Sequence, residues 1–116
     1  MKSLIYHICK EKEWEIAIVC GVYLGSSQDH EDGFIHFSTA EQIIGSAAKH
    51  RAGQTGLLLL TVEIKPIAAK LKWETSRAGD LFPHLYGTLP INAVLKTNNL
   101  EIGADGKHIF PKEFIK

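Results

Sequence analysis

Four residues carry side chains that can move protons or hold a polar ligand: His36, Glu74, His84 and Tyr86. A neutral imidazole both donates and accepts hydrogen bonds, and it titrates near physiological pH. A carboxylate can stabilise positive charge that develops during a reaction. The sequence therefore predicts a polar pocket around these residues, with His36, Glu74 and His84 as the candidate catalytic groups.

The surroundings of His36 indicate a strand followed by a helix. Residues 33–37 are apolar and strand-like, and Ser38 and Thr39 each have Glu or Gln three positions later, which is typical of a capping box. We expect a helix to begin there and to end near Gly53, and its first amides could hold a phosphate or carboxylate. The alternative is a strand histidine bonded to a backbone carbonyl beside ordinary helix caps.

Two further segments combine aromatic and polar side chains. Trp73 and Glu74 would place a stacking surface beside a carboxylate, or else a core Trp beside a solvent-facing Glu. Strand alternation puts Phe82, His84 and Tyr86 on one face, which forms an aromatic wall with two polar tips. The alternative is a buried His84 and Tyr86 that satisfy each other.

Other classes of site receive little support. The stretch 29–32, Asp-His-Glu-Asp, contains metal-capable side chains, but consecutive ligands on a loop seldom converge, so we expect a solvated loop. Spacing does not support a metal site of His36, His84 and Glu74, nor one at Cys9 and Cys20. The chain has no glycine-rich nucleotide fingerprint, phosphate-binding loop or serine-hydrolase elbow.

Length and composition favour one globular domain over residues 1–116. Apolar residues make up 45% and charged residues 22%, and the formal charge is zero, so no strong field favours nucleic acid. No apolar run is long enough to span a bilayer, and the N-terminus lacks a secretory segment. We expect a cytoplasmic protein with a small-molecule ligand, no membrane association and an oligomeric state that the sequence leaves open.

The pattern of elements predicts an α+β fold. A short strand opens at Leu4, and a helix with Trp14, Ala17 and Ile18 toward the core ends at Gly21. The apolar run 57–64 predicts a central strand, and shorter strands are expected near 71–74 and 93–97. Because regular strand-helix alternation is missing, we expect a curved or split, mostly antiparallel sheet with two main helices.

In combination, several motifs resemble a bacterial family known as domain of unknown function 952. The resemblance covers about residues 4–94 and implies no established activity. It is carried by the following ordered segments: Ile5-Tyr6-His7, Trp14, Gly21-Val22-Tyr23, Gly33-Phe34-Ile35-His36-Phe37-Ser38-Thr39, Leu71-Lys72-Trp73-Glu74 and Phe82-Pro83-His84-Leu85-Tyr86-Gly87.

A strand ending in His-x-Ser, a helix with small residues and an apolar strand are also similar to the ADP-ribosyltransferase-like superfamily. That resemblance implies a related fold with an NAD or ADP-ribose cleft, histidines at His7 and His36, and a carboxylate assisting glycosidic bond cleavage. Glu74 could be that carboxylate, but the superfamily's Glu usually comes late in the domain, which makes Glu101 a competitor. The chain has only two arginines, at 51 and 77, which disfavours processing of an RNA 2'-phosphate.

Two hypotheses follow for the pocket. The first is an enzyme for a nucleotide-like ligand, in which Trp73 or Tyr86 stacks on a ring and Glu74 stabilises oxocarbenium charge. The second is a non-catalytic module that binds a small metabolite or a peptide end. A phosphoesterase with two His-x-Ser/Thr motifs is disfavoured, because only residues 36–38 fit. The predicted ligand-binding set is His7, Tyr23, Ser38, Thr39, Trp73, Phe82 and Tyr86.

Overall fold

The computed structural model describes residues 3–76 and 79–114. Eight strands and three α-helices make up most of this part of the chain. None of its helices is both long enough and apolar enough to cross a membrane. The strands are β1 (Leu4–Lys10), β2 (Val22–Tyr23), β3 (Ile35–His36), β4 (Leu57–Glu63), β5 (Leu71–Thr75), β6 (Leu81–Leu85), β7 (Leu89–Pro90) and β8 (Val94–Leu100), and the helices are α1 (Glu11–Cys20), α2 (Ser27–Asp32) and α3 (Ile43–His50).

Strand β4 is the centre of the largest sheet, as its apolar sequence predicts. It pairs antiparallel with β1 on one side and β8 on the other. Leu58 and Leu60 pack into one hydrophobic cluster, and Leu57 and Leu59 pack into a second one. Both faces of β4 are therefore buried, which is why its sequence lacks polar alternation.

The second three-stranded sheet, with the order β3-β6-β5, carries the candidate site. His36 on β3 lies directly opposite His84 on β6, and Lys72 on β5 lies opposite His84 on its other side. Strands β2 and β7 form a small third sheet. The antiparallel α+β arrangement is confirmed.

Helix α1 follows the predicted course from the first strand to Gly21. Gly21 adopts a left-handed conformation with φ 86°, and its amide donates to the Ala17 carbonyl, which closes the helix. Trp14 and Ala17 are buried as expected. The prediction for Ile18 is wrong: its side chain is 56% exposed, because the buried stripe of this short helix is narrow.

The predicted solvated loop at residues 29–32 is instead part of helix α2, and this prediction is wrong. Ser26 caps the helix by accepting from the Asp29 amide, and the Asp29 carboxylate accepts from the Ser26 amide at 2.7 Å. Gly33 ends the helix with φ 83°. The Ser26-x-x-Asp29 pattern followed by glycine is a capping signal in itself.

Helix α3 begins at Ile43 and ends at His50, so it is shorter than predicted at both ends. Ser38 does not cap it, because Ser38 exchanges backbone hydrogen bonds with Tyr6 of β1. The Thr39 amide donates to the side chain of Gln42, which is one of the two bonds of the predicted Thr39–Gln42 capping box. The prediction of an anion-binding first helical turn at Ser38 and Thr39 is therefore wrong.

Candidate functional site

Two carboxylates hold the imidazole of His36. Its Nδ1 lies 2.5 Å from Asp29 Oδ1, and its Nε2 lies 2.9 Å from Asp32 Oδ2. Because both acceptors are carboxylates, both ring nitrogens carry protons and His36 is an imidazolium. Partial burial lowers the pKa of His36, but the hydrogen bond to Asp29 and the two negative charges outweigh it and raise the pKa above 6.5.

Asp29 is the centre of this arrangement and is only 3% exposed. Besides the His36 ring, it accepts from the backbone amides of His36 at 3.1 Å and Ser26 at 2.7 Å. Burial opposes its ionisation, yet the bond from the His36 ring and those from the two backbone amides outweigh that effect and hold the pKa of Asp29 well below 3.8. Asp29, Asp32 and His36 together are called the His36 clamp below.

His7 and Tyr23 lie behind the clamp in the protein interior. His7 Nδ1 donates to the carbonyl oxygen of His36, so its Nε2 accepts from the Tyr23 hydroxyl at 2.7 Å. Burial lowers the pKa of His7, which keeps its ring neutral. Both residues were predicted to bind ligand; the structure instead buries them and uses them to support the clamp.

A second polar group lies on the adjacent strands. Glu74 Oε1 accepts hydrogen bonds from Tyr86 Oη at 2.7 Å and from His84 Nδ1 at 2.8 Å. The bond from Tyr86, followed by that from His84, lowers the pKa of Glu74, and the same contact raises the pKa of Tyr86. Glu74 is therefore ionised and Tyr86 protonated at neutral pH. These three residues are called the Glu74 cluster below.

Phe34 and Lys72 complete this surface. The Phe34 ring stacks on His84 with 4.1 Å between centroids, and it also contacts the rings of His36 and Tyr86 at 4.5 and 5.2 Å. The Lys72 ammonium lies 4.8 Å from the Tyr86 ring centroid. The surface thus combines the rings of Phe34, His84 and Tyr86 with the carboxylate of Glu74 and the ammonium of Lys72.

The arrangement gives the two histidines different capacities. His36 has both ring nitrogens on carboxylates, so the geometry does not support its predicted role as a catalytic group. His84 donates a hydrogen bond from Nδ1 to Glu74 Oε1, and its Nε2 has no hydrogen-bond partner among residues 3–76 and 79–114. An imidazole ordered by a carboxylate in this way can accept a proton at Nε2.

The other predicted site residues lie in various places. Trp73 is on the opposite face of β5 from Glu74, because successive strand side chains alternate. Phe82 lies opposite Glu74 in the strand register. The buried Ser38 hydroxyl pairs with that of Ser46 at 3.0 Å, and Thr39 precedes α3. The predicted pairing of Trp73 with Glu74 on one surface is therefore wrong.

The two candidate carboxylates, Glu74 and Glu101, lie in different surroundings. Glu101 follows β8, which belongs to the other three-stranded sheet, whereas Glu74 contacts both His84 and Tyr86. Arg77, one of the two arginines, lies outside the described residues. Within the described part of the chain, no group of three or more histidine, cysteine, aspartate or glutamate side chains could hold a metal ion.

Sequence reasoning missed the contributions of Asp29, Asp32, Phe34 and Lys72. The capping pattern at Ser26 was the available signal for Asp29. Phe34 is two positions before His36, and Lys72 is two before Glu74, so strand alternation predicts that each shares a face with its partner. Asp32 has no comparable signal, because its contact depends on how α2 packs against β3.

Together these features define a small antiparallel α+β protein with a carboxylate-held histidine beside a Glu-His-Tyr cluster. The chain belongs to the family described as protein of unknown function (DUF952), whose model matches residues 8–97.

Solved structures of a Caulobacter crescentus relative share this fold. The crystal structure of protein CC0527 is 43% identical, with a TM-score of 0.91, and the alignment covers 97% of this chain and 98% of that one. The solution NMR structure of CC0527 is 46% identical, with a TM-score of 0.80 over 90% of each chain. A crystal structure of a double mutant of CC0527 is 43% identical, with a TM-score of 0.90, and the alignment again covers 97% of this chain and 98% of that one.

No match was found among curated proteins. The family description and the solved relatives give no activity and do not support the weaker resemblance to ADP-ribosyltransferase-like proteins.

Proposed function

We propose that the Glu74 cluster is a small-molecule site that binds and processes a nucleotide-like ligand such as NAD or ADP-ribose. The observation that carries the proposal is the double hydrogen bond to Glu74 Oε1 from Tyr86 and His84. It fixes the orientation of the His84 ring and leaves Nε2 without a described partner. A base positioned by a carboxylate is a common element of catalytic sites.

The protonation states assign a role to each group. Glu74 is ionised, so it can accept a ribose hydroxyl or stabilise positive charge at the sugar carbon. Tyr86 stays protonated because its bond to Glu74 raises its pKa, so it acts as a donor and not as a base. His84 is the group available to accept a proton from a hydroxyl or a water molecule.

The surroundings favour a ligand that has both a flat ring and a negative charge. Phe34 and Tyr86 offer ring surfaces, and the Lys72 ammonium beside Tyr86 can attract a phosphate. A nucleotide with a ribose carries all of these groups. The proposed reaction breaks the bond from a ribose carbon to its base, and water or another nucleophile takes the base's place.

The resemblance of the sequence to ADP-ribosyltransferase-like proteins supports the proposed ligand class. An ADP-ribosyltransferase-like fold implies a cleft for NAD and a carboxylate at the glycosidic bond. The alternative, a non-catalytic module for a small metabolite or peptide end, would use the same surface. The predicted cytoplasmic location and the extent of the single domain, residues 1–116, stay predictions.

The test is calorimetric titration of the purified protein with NAD and with ADP-ribose, alongside two matched variants. Glu74→Gln removes the cluster's charge, whereas Glu113→Gln removes another exposed carboxylate, one bonded to Lys96 at 2.7 Å. We expect Glu74→Gln to weaken binding by at least about tenfold, the loss of roughly one charged hydrogen bond, and Glu113→Gln to leave it unchanged.

Chromatography of the same mixtures then separates the two hypotheses. Release of nicotinamide by the wild-type protein and its loss in Glu74→Gln would support the enzyme. Binding without release would leave the non-catalytic module. Absence of binding at millimolar ligand, or equal affinity in both variants, would reject the proposed ligand class.

A further inference from the structure

We propose that His36 is a positioning residue: held between Asp29 and Asp32, it fixes α2 against β3 and thereby keeps Phe34 stacked on His84. The inference rests on the proposed function, because the surface that it orders is the Glu74 cluster. It assigns His36 a role through Phe34 and not through contact with a ligand.

The His36 clamp requires two donors on one imidazole ring. Asp29 and Asp32 each present a carboxylate oxygen to a different nitrogen of the same ring, at 2.5 and 2.9 Å. A neutral imidazole has one N–H and can satisfy only one of them. The observed geometry therefore requires the protonated ring, and loss of its proton places a nitrogen lone pair against a carboxylate.

The contacts of His36 with Asp29 and with Asp32 differ in strength. Asp29 is buried and is also held by the backbone amides of Ser26 and His36. Asp32 is 40% exposed, and its other described contact is a 3.2 Å bond from the Gln28 side chain. When His36 loses one of its two ring protons, the remaining proton would therefore stay on Nδ1, bonded to Asp29, and the contact of Nε2 with Asp32 would be lost.

Asp32 at the end of α2 is close to Phe34 in the chain. Only Gly33 separates them, and its left-handed conformation sets the direction in which the chain leaves α2. The Phe34 ring then lies on His84 at 4.1 Å, close enough for direct stacking. Freeing the end of α2 would loosen this stacking and change the wall beside the Glu74 cluster.

The other titratable groups around His36 do not replace the clamp. His7 of β1 bonds to the His36 carbonyl and is kept neutral by burial. His84 of β6 approaches at 5.5 Å between ring centroids and is bonded to Glu74. Burial lowers the pKa of His50 at the end of α3, and the charges of Lys49 and then His36 lower it further. Within the described residues, only Asp29 and Asp32 bond to the His36 ring.

The experiment follows histidine and phenylalanine ring signals by NMR against pH in the ligand-free protein. The variants are Asp32→Asn and its control Glu31→Gln, an adjacent change on α2 with the same loss of charge. We expect the nuclear Overhauser effect between Phe34 and His84 to weaken as His36 deprotonates. The Asp32→Asn change should lower the pH at which His36 deprotonates and the pH at which the Phe34–His84 effect weakens. Glu31→Gln should lower both by less.

Two results would overturn the proposal. One is a Phe34–His84 effect that does not change as His36 titrates. The other is an equal shift of the His36 titration in the two variants. Because no ligand is present, these results are independent of the calorimetric test: loss of NAD binding would reject the proposed function and leave the positioning role standing.

Discussion

Replacing Asp29 with Asn tests the energetic importance of the clamp. The substitution preserves shape but changes one carboxylate oxygen into a donor. If the Asn oxygen faces His36, its amide group faces the buried Ser26 N–H, which loses its acceptor. An unsatisfied buried amide costs about 1.5 kcal/mol.

The lost charge adds a second contribution. A hydrogen bond to a charged group stabilises by roughly 1.5–3 kcal/mol, and the lower end applies because the His36 side chain is 38% exposed. We therefore expect Asp29→Asn to lower the free energy of unfolding by about 3 kcal/mol. With a urea m-value of about 1.5 kcal/mol/M, the unfolding midpoint would fall by about 2 M.

The pH dependence of this loss has a defined sign. The pKa of Asp29 is lowered in the folded state, so its contribution is present above pH 3.8 and disappears as pH falls toward the folded value. The pKa of His36 is raised, so its contribution is full below pH 6.5 and declines as pH rises through the folded value. The difference between wild type and Asp29→Asn should be largest between about pH 4 and 6.5.

The measurement is urea unfolding, followed by circular dichroism, at several pH values. Asp32→Asn is the matched control, and we expect a loss of no more than about 1 kcal/mol, because that ion pair is exposed. Equal losses in the two variants, or a difference that does not vary with pH, would refute the assignment of Asp29 as the buried centre of the clamp.

Two further predictions concern glycine conformation and thiol access. Gly33→Ala should destabilise the folded protein by about 1 kcal/mol because φ at Gly33 is 83°, although no atom obstructs the new methyl group. Gly45→Ala inside α3 should instead stabilise it by up to about 1 kcal/mol. Thermal unfolding of both variants checks the contrast, and stability changes of equal sign would contradict it. The exposed Cys20 should react rapidly with a thiol reagent in the native protein. Cys9 is buried, and burial raises its pKa to about 12, so it should react only after unfolding. Rapid reaction of both thiols in the native protein would contradict this prediction.

Local patterns in the sequence predict much of the framework. The apolar run that forms β4 and the glycine that ends α1 are signals within a few residues, so both elements are found correctly. Alternation along residues 82–86 places His84 and Tyr86 on one face, and both contact Glu74 of β5. These predictions share a cause: each rests on a pattern within one strand or one helix, and only the contact with Glu74 needs a second strand.

One failure occurs where distant segments meet. Ser38 resembles a helix cap, but its backbone pairs with Tyr6, far earlier in the chain, and this tertiary pairing delays the start of α3. A single sequence does not reveal which residues will meet across such distances. The error at the acidic stretch has another cause: local polarity suggests a solvated loop, whereas the capping pattern at Ser26 starts a helix and the buried Asp29 gains a partner in His36, seven positions later.

The buried link from Tyr23 through His7 to the His36 carbonyl has a consequence for how the protein opens. It joins three strands, and its hydrogen bonds span 16 and 29 positions of sequence. A desolvated imidazole gains both partners only when all three strands are assembled, so partial detachment of any one exposes an unsatisfied polar group in the interior. The three sheets to which these strands belong should therefore come apart in one cooperative transition, and the amides joining Tyr6 and Ser38 should exchange with solvent at the rate of global unfolding.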